Sequence, residues 1–332
     1  MVSKLSFRFG VPRTNVIKSI ICFVLAILIL LSTIVMGLFD KYYNKMQITD
    51  VDDSAINEYL KDSDTDTINE DDPDVINVLL IGSDNRTANE SARSDSVIIA
   101  SLNTRTNKIV LTSILRDSYV NIPGYGMNRI NAAFTYGGVE LVIATLQDNF
   151  GIKLDKYAQV DFQSFQTLID TLGGVDVELT ADEANYLMGI KTDVTYVQDY
   201  HPEWGLHEGT NTLTGEQALL HARNRSMGTD FERTRRQRDI ITALIQKVKG
   251  ASGSEIMDIV NLILPDIKTN LTKTELVSLA SKAGKYADYT MEQYSFPMAG
   301  TYKDITVSGM AVLEVDCNAN SQVWYDAVYG DD

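Results

Sequence analysis

The sequence is poor in the residues from which many catalytic and metal sites are built. Its 2 cysteines cannot form a disulfide framework. Its 3 histidines, His201, His207 and His221, have no spacing suited to metal binding. We expect each of them to be a structural or surface residue. The sequence therefore disfavours a structural zinc site and a hydrolase with a histidine base.

Basic residues are also scarce, with 29 Lys and Arg against 45 Asp and Glu, for a net charge of −16. So acidic a protein is unsuited to binding a polyanion, and we expect no nucleic acid partner. Several sequence patterns of common enzymes are missing as well. They are G-x-S-x-G, H-E-x-x-H, C-x-x-C, the P-loop and the dinucleotide-binding G-x-G-x-x-G.

One long stretch, Ser19 to Phe39, contains no charged residue and is mostly Ile, Leu, Val and Phe. It has about the 20 residues that span a bilayer, and it exceeds the apolar region of a typical signal peptide. We therefore predict an uncleaved transmembrane helix over 19–39, rather than a cleaved signal peptide or a buried core helix. The basic residues precede it, which predicts a cytoplasmic arm at 1–18 and an extracellular remainder.

The rest of the chain divides at about Val75. Residues 40–74 are predicted to be an acidic extracellular spacer, because Asp50 to Asp74 holds many acids and few large apolar residues. The spacing of a calcium-binding loop is absent from it. Residues 75–332 are predicted to form the extracellular folded domain.

Short β-branched runs alternate with stretches of helical spacing in this domain. Predicted strands cover residues 76–81, 96–102, 108–115, 158–160, 175–179 and 305–315. Predicted helices cover residues 131–150 with a break at Gly137-Gly138, then 162–172, 214–220, 233–249, 254–264, 272–286 and a short stretch around Trp324. The alternation predicts a layered α/β domain.

Arginine and aspartate residues concentrate where these predicted elements begin or end. They are Asp84, Arg86, Arg93, Asp95, Arg116, Asp117, Arg223, Arg225, Asp230, Arg233, Arg235, Arg236 and Arg238. Ligands of open α/β sheets gather beyond the carboxyl ends of strands, and arginine forks match phosphate oxygens. The clusters therefore predict a polyphosphate site.

Two pairs of residues indicate how such a ligand would be held. Arg233 and Gln237 are four apart, so they share one face at the start of a helix, where the helix dipole favours anions. Asp84 and Asp95 could hold a divalent cation between a phosphate and the protein, as is usual for Mg²⁺.

The remaining arginines are harder to interpret from spacing. Arg223 and Arg225 would share one side only if their stretch is extended. Arg235, Arg236 and Arg238, taken one at a time, are interpreted as members of surface ion pairs, which contribute little.

These clusters also resemble the LytR-CpsA-Psr family of Gram-positive cell-envelope proteins. The matching stretches are residues 77–84, 93–96, 113–118, 129–134, 160–162, 172–177, 213–219 and 223–237. Each is weak alone, but eight in the same order are specific. The resemblance covers roughly residues 75–250.

The resemblance implies a three-layer α/β/α sandwich with a mostly β-sheet core and an apolar pocket for a lipid tail. It further implies a glycopolymer phosphotransferase at the cell membrane. Such enzymes take teichoic acid, capsule or another secondary wall polymer from a polyprenyl-pyrophosphate carrier. They attach the polymer to peptidoglycan through a phosphodiester.

The resemblance also implies roles for individual residues. Asp84 and Asp95 would hold Mg²⁺, with Mn²⁺ as a second possibility. The pyrophosphate-binding residues would be Arg86, Arg93, Arg116, Arg223, Arg225, Arg233 and Gln237. Asp117 and Asp230 would orient those arginines. Asp95, Arg116 and Asp117 would form the catalytic set, with either Asp95 or Asp117 accepting the proton of the sugar hydroxyl.

Three other functions stay open on the sequence. The protein could be a non-catalytic regulator or attenuator of envelope biogenesis, although the 1–18 arm is too short for a DNA-binding fold. It could bind a lipid pyrophosphate or the wall without catalysis, and such a protein would not need both metal carboxylates. It could also be a lipid pyrophosphatase that uses water as the acceptor.

Overall fold

The computed structural model describes residues 47–69, 71–83, 94–190, 200–250, 267–286 and 288–330. Within these ranges no helix combines the length and the apolar character that crossing a membrane requires. The arm at 1–18, the apolar run at 19–39 and the predicted helix at 254–264 lie outside the described residues. The interpretations of those three segments stay predictions.

The described elements alternate between strands and helices, which confirms the mixed α/β class. The strands are β1 (Gln47–Ile48), β2 (Val75–Ser83), β3 (Ser94–Asn103), β4 (Lys108–Ile114), β5 (Ser118–Ile122), β6 (Gly126–Arg129), β7 (Lys156–Asp161), β8 (Val175–Leu179), β9 (Gly209–Leu213), β10 (Lys268–Thr269), β11 (Thr290–Phe296), β12 (Tyr302–Val307) and β13 (Met310–Val315). The helices are α1 (Asp53–Tyr59), α2 (Asn131–Phe150), α3 (Phe162–Thr171), α4 (Ala181–Leu187), α5 (Gly215–Arg223), α6 (Asp230–Gly250), α7 (Lys273–Tyr286) and α8 (Cys317–Tyr329).

The largest sheet has seven strands in the order β1-β10-β7-β2-β3-β4-β11. Strands β2 and β4 are both antiparallel to β3, and β7 runs parallel to β2. The carboxyl ends of β2, β4 and β7 therefore meet at one edge of the sheet. Every residue of β4 is buried, as expected for a strand that is covered on both faces.

Helices pack on both faces of this sheet. Successive residues of a strand point to opposite faces, and Ile98 and Ile99 of β3 belong to different apolar clusters. Ile99 packs in the cluster that includes residues of α2 and α8. Ile98 packs in the cluster that contacts Ile241 of α6 and Tyr286 of α7. The sheet is thus the middle layer between two layers of helices.

A second apolar core surrounds the antiparallel pair of strands β8 and β9 and contains residues of α3, α4 and α5. Ile240 of α6 belongs to this core, whereas its neighbour Ile241 packs toward the large sheet. Helix α6 is therefore held from two sides. This packing fixes the position of the charged residues in its first turns.

A four-stranded sheet, in the order β12-β13-β5-β6, corrects one prediction. Residues 305–315 were expected to be one strand region, but they contain a turn between β12 and β13. Ser308 and Gly309 have φ angles of 51° and 82° in that turn. Two consecutive positive φ angles are typical of a tight hairpin turn, so the chain reverses there.

The boundary predicted at Val75 is also corrected, because the folded domain includes residues of the expected spacer. Asp52 caps α1 by accepting a hydrogen bond from the backbone of Ser54 at 2.9 Å. Ile56 of α1 is buried in the main core. Asn69 is buried too, and its amide donates to the Lys153 carbonyl at 3.1 Å. The prediction of a solvated spacer rested on the acidic composition of the whole segment. Composition does not show which single residues of a segment pack against the domain.

Several local predictions are confirmed. Helix α2 departs from helical geometry at Gly137 and Gly138, where Gly138 has a φ of 64°. Thr214 and Gln217 form the predicted capping box at the start of α5, which extends to Arg223.

Strand β11 was not predicted, because its sequence alternates polar and apolar residues only weakly.

Candidate functional site

Several described residues of the predicted clusters lie at the shared edge of the large sheet. Ser83, the last residue of β2, pairs in register with Asp161, the last residue of β7. Strand β4 ends at Ile114, and Arg116 and Asp117 follow after Leu115. Side chains from three parallel strand ends therefore converge, as in other α/β proteins that bind ligands at this position.

Two carboxylates hold three guanidinium groups at this edge. Arg116 Nε lies 3.4 Å from Asp117 Oδ2 and 3.5 Å from Asp230 Oδ1. Arg233 Nη2 lies 2.7 Å from the same Asp230 oxygen. Arg129 Nε lies 3.3 Å from Asp117 Oδ1. The arrangement is what the predicted orienting roles of Asp117 and Asp230 require, and it leaves the group with an excess of positive charge.

Asp230 is the residue that links the site to α6, since it is the first residue of that helix. Burial raises the pKa of the Asp230 carboxyl, and the charges of Arg233 and Arg116 oppose this effect. The charge of Arg225 also lowers the pKa of the Asp230 carboxyl. A partly buried carboxylate that is shared by arginines positions them without fully neutralising them.

Three predicted pyrophosphate-binding residues line one small cavity at this edge: Arg116, Arg233 and Gln237. The other lining residues are Ser96, Val97, Ile114, Ile130, Asn131 and Thr234. Arg233 and Gln237 lie one turn apart on α6, as the four-residue spacing predicted. Gln237 donates from Nε2 to the Ala222 carbonyl at 3.3 Å, which connects this wall of the cavity to α5.

Arg223 and Arg225 do not lie on one extended stretch, because helix α5 ends between them. Arg223 is the last residue of α5, and its guanidinium carbon lies 4.4 Å from the ring centroid of Phe162. Phe162 directly follows Asp161 at the end of β7, so Arg223 lies near the sheet edge. Arg225 is exposed in the loop between α5 and α6.

That loop is held by Arg236, whose interpretation as a surface ion pair is wrong. Only 2% of Arg236 is exposed. Its Nη2 donates to the carbonyls of Asn224 at 2.9 Å and Met227 at 3.1 Å, and its Nη1 lies 3.5 Å from Glu183 Oε1. The buried guanidinium satisfies carbonyl groups that would otherwise lack donors. It thereby fixes the backbone that carries Arg225.

Arg238 is buried as well, and the same interpretation is wrong for it. Its Nε donates to Gln293 at 3.2 Å and its Nη1 to Ser295 Oγ at 2.9 Å, both on β11. Arg235 differs, since its side chain is 45% exposed and lies 2.7 Å from Asp239. The sequence could not separate these three arginines, because burial depends on which elements pack against α6.

The metal-binding prediction concerns residues that the structure describes only in part. Asp84, Arg86 and Arg93 lie outside the described residues, and Asp95 is described as a backbone position in β3. The β2–β3 register shifts between the pairs Gly82–Ser96 and Ser83–Ser94, so Asp95 is an extra residue on its strand. Such bulges are frequent beside active sites. Among the described side chains, no group of three or more His, Cys, Asp or Glu could hold a metal ion.

Arg129 is a site residue to which the sequence assigned no role, although it lies in a stretch that resembles the family. It ends β6, and its Nη2 donates to the Ala311 carbonyl at 2.7 Å. The available signal was its place directly before a helix, since Asn131 opens α2. The sequence could not predict its contact with Asp117, because that contact depends on the antiparallel pairing of β5 and β6.

His221 is structural, as predicted, because it is buried beside Glu183 and Arg236. Burial lowers the pKa of its imidazole to about 4, although the charge of Glu183 opposes that effect. The unfolded chain, with a pKa of about 6.5, binds a proton between these pH values that the folded protein does not. The free energy of unfolding should therefore fall as the pH drops from about 6.5 toward 4.

We expect His221→Gln to reduce this pH dependence. Urea unfolding near pH 7 and near pH 5 measures it, and the native protein should lose more stability over this range than the variant. Equal losses in the two proteins would show that His221 is protonated in the folded state.

Comparisons with known proteins identify relatives of the whole domain. The model of the LytR_cpsA_psr family matches residues 42–328. A polyisoprenyl-teichoic acid–peptidoglycan teichoic acid transferase, TagT of Bacillus subtilis (strain 168), is 32% identical over 237 residues, or 69% of this chain and 71% of TagT. TagU of Bacillus anthracis, with the same transferase name, is 33% identical over 210 residues. That match covers 61% of this chain and 63% of the length of TagU.

A solved structure shows the same fold with a ligand. It is the LytR-CPS2A-psr family protein YwtF (TagT) with bound octaprenyl pyrophosphate lipid. The structures superpose with a TM-score of 0.59 and 25% identity, over 79% of this chain and 94% of that chain. The likeness confirms the family that the eight sequence stretches indicated.

Proposed function

Because this chain belongs to the LytR_cpsA_psr family, we propose that it transfers a glycopolymer from a polyprenyl-pyrophosphate carrier to peptidoglycan. The transfer forms a phosphodiester. The observation that carries the proposal is the group of Arg116, Arg129 and Arg233 on the two carboxylates Asp117 and Asp230. Two relatives, TagT and TagU, bear the name of teichoic acid transferases, and a solved structure of TagT holds octaprenyl pyrophosphate.

The charges of the site suit the proposed donor. A pyrophosphate diester carries about two negative charges, and close arginines repel one another unless an anion lies between them. Fixed guanidinium groups stabilise the charge that develops as the phosphate bond to the carrier breaks. Asp117 and Asp230 hold these groups before the donor arrives, so little reorganisation accompanies the reaction.

The acceptor hydroxyl must lose its proton when it attacks the phosphorus. Asp117 lies between Arg116 and Arg129, within 3.4 Å of each. Asp117 is therefore one candidate to accept that proton. Asp95 is the other candidate, and its place on the β3 bulge sets it beside the same sheet edge.

A divalent cation fits the proposal. Asp95 lies in the first residues of β3, and Asp84 is the next residue in the sequence after β2. Two carboxylates with phosphate oxygens suit Mg²⁺, and Mn²⁺ prefers similar ligands. The ion would polarise the phosphate that leaves with the carrier.

The proposal places the domain outside the cell membrane. Residues 19–39 would span the membrane, with residues 1–18 in the cytoplasm. Anchoring at the membrane surface keeps the domain beside a lipid-linked donor and raises the effective concentration of that donor.

A transfer assay tests the proposal with the full chain in detergent, a polyprenyl-pyrophosphate-linked teichoic acid and peptidoglycan. We expect Mg²⁺-dependent attachment of the polymer to peptidoglycan. Asp84→Asn should bind Mn²⁺ at least tenfold more weakly in a direct titration, because one of two charged ligands is lost. Release of the polymer to water alone would identify a pyrophosphatase. Binding of the donor without turnover would identify a non-catalytic protein.

A further inference from the structure

An exposed apolar patch lies beside the arginine site. Six large hydrophobic side chains are exposed within the described residues, and three of them lie in the short segment 125–136. They are Tyr125, Met127 and Tyr136, which are 52%, 53% and 43% exposed. Single exposed apolar residues are ordinary, but a cluster of them marks a binding surface. We call these three residues the aromatic patch.

The two rings of the patch are held in place. The ring centroids of Tyr125 and Tyr136 are 4.7 Å apart, and the ring planes differ by 18°. Asn128 donates from Nδ2 to the Tyr136 hydroxyl at 3.1 Å. Gly124 and Gly126 flank Tyr125 with φ angles of 79° and 77°, which few other residues adopt. A ligand would therefore find the rings already ordered, which lowers the entropic cost of binding.

Strand β6 connects the patch to the site. Met127 and Arg129 are alternate residues of β6, so they lie on one face, about 7 Å apart along the strand. Their partners across the β5–β6 pair are Asn121 and Tyr119. Arg129 contacts Asp117 at 3.3 Å. Asn128, which holds Tyr136, lies between Met127 and Arg129 and therefore points to the opposite face of β6. Because β6 is the outer strand of its sheet, a molecule that lies across its open edge extends from the rings to Arg129.

We propose that the aromatic patch binds the glycan chain of the peptidoglycan acceptor, an inference that rests on the proposed function. Sugar rings present flat C–H faces that pack on tyrosine rings, and their hydroxyls can pair with phenol and amide groups. Tyr125 and Tyr136 of the patch supply the rings and phenol groups, and the neighbouring Asn128 supplies the amide. It has no charged side chain of its own, whereas the neighbouring arginine site takes the anionic donor.

The form of the surface favours the acceptor over other occupants. Peptidoglycan is an extended polymer, so an open strand edge suits it better than an enclosed pocket. Membrane-binding surfaces typically combine Trp, Phe or Leu with Lys and Arg, which the patch lacks. The net charge of −16 also disfavours contact between this domain and an anionic leaflet.

A binding experiment without donor tests the inference. Peptidoglycan glycan chains freed of their stem peptides are titrated into the full chain in detergent. We expect Tyr125→Ala and Tyr136→Ala each to weaken binding about tenfold, the effect of truncating an anchoring aromatic residue. Tyr125→Phe should retain binding, because the ring remains.

Tyr325→Ala is the matched control. Tyr325 is also exposed, at 37%, and stacks on Tyr329 with centroids 5.1 Å apart, but it lies on α8. This variant should bind the glycan as the native protein does. Circular dichroism of each variant checks that it is folded.

The outcomes separate this inference from the proposed function. No glycan binding by the native protein, or equal affinity in all variants, would overturn the inference. So would loss of binding to anionic vesicles in Tyr125→Ala with unchanged glycan affinity, because the membrane would then be the occupant. Patch-dependent glycan binding without any transfer would leave the inference standing and reject the proposed function. Transfer with an unchanged acceptor KM in both patch variants would support the proposed function and reject the inference about the aromatic patch.

Discussion

Replacing Arg116 with alanine is expected to slow polymer transfer by about 10²–10³-fold, the usual effect of removing one preorganised charge-stabilising group. Arg116 lines the cavity with Arg233 and Gln237, and it contacts both carboxylates of the site. Its side chain is 29% exposed, so its loss should leave the fold intact. Arg116→Lys should restore little activity, because lysine lacks the planar fork that two phosphate oxygens require.

Arg105→Ala provides the control for lost positive charge. Arg105 lies between β3 and β4 at the opposite edge of the sheet, where it contacts Asp72 at 3.0 Å. Its side chain is 43% exposed, so we expect an unchanged rate and an unchanged Tm. Steady-state kcat and KM with the lipid-linked donor make the comparison. If Arg116→Ala turned over as fast as the native protein, the arginine group would not be the reaction site.

The largest loss of stability is expected for Arg236→Ala, at about 3–5 kcal/mol, as for other buried charge pairs that lose one partner. The substitution removes donors from the carbonyls of Asn224 and Met227, and it leaves Glu183 with less compensation in a buried position. Activity should fall too, because the released backbone carries Arg225.

Arg235→Ala is the matched control, since Arg235 precedes Arg236 and also contacts Glu183, at 3.2 Å. Its side chain is 45% exposed, and Glu183 keeps Arg236 beside it when Arg235 is removed. We therefore expect a loss within about 1 kcal/mol. Urea unfolding of both variants gives the difference in the free energy of unfolding. Equal losses would contradict the structural role assigned to Arg236.

Local features of the fold were predictable because they depend on neighbouring residues. The apolar run of β4, the capping box at Thr214 and the break at Gly137 each follow from backbone preferences within a few positions. The position of Arg116 and Asp117 after a strand could be predicted too, because the strand is defined by its own apolar run. The weakly alternating β11 was missed, because its pairing with β4 is what makes it a strand.

The sequence by itself determined the α/β class, the family, and the clusters from which the site is drawn. Only the tertiary structure decided that Asp117 and Asp230 share Arg116, that Arg129 joins them, and that the expected spacer packs into the core. It also decided that Arg236 is buried while Arg235 is exposed. The physical reason is that a charged side chain is stable in the interior only where distant elements supply its partners, and a local pattern of residues does not specify those elements.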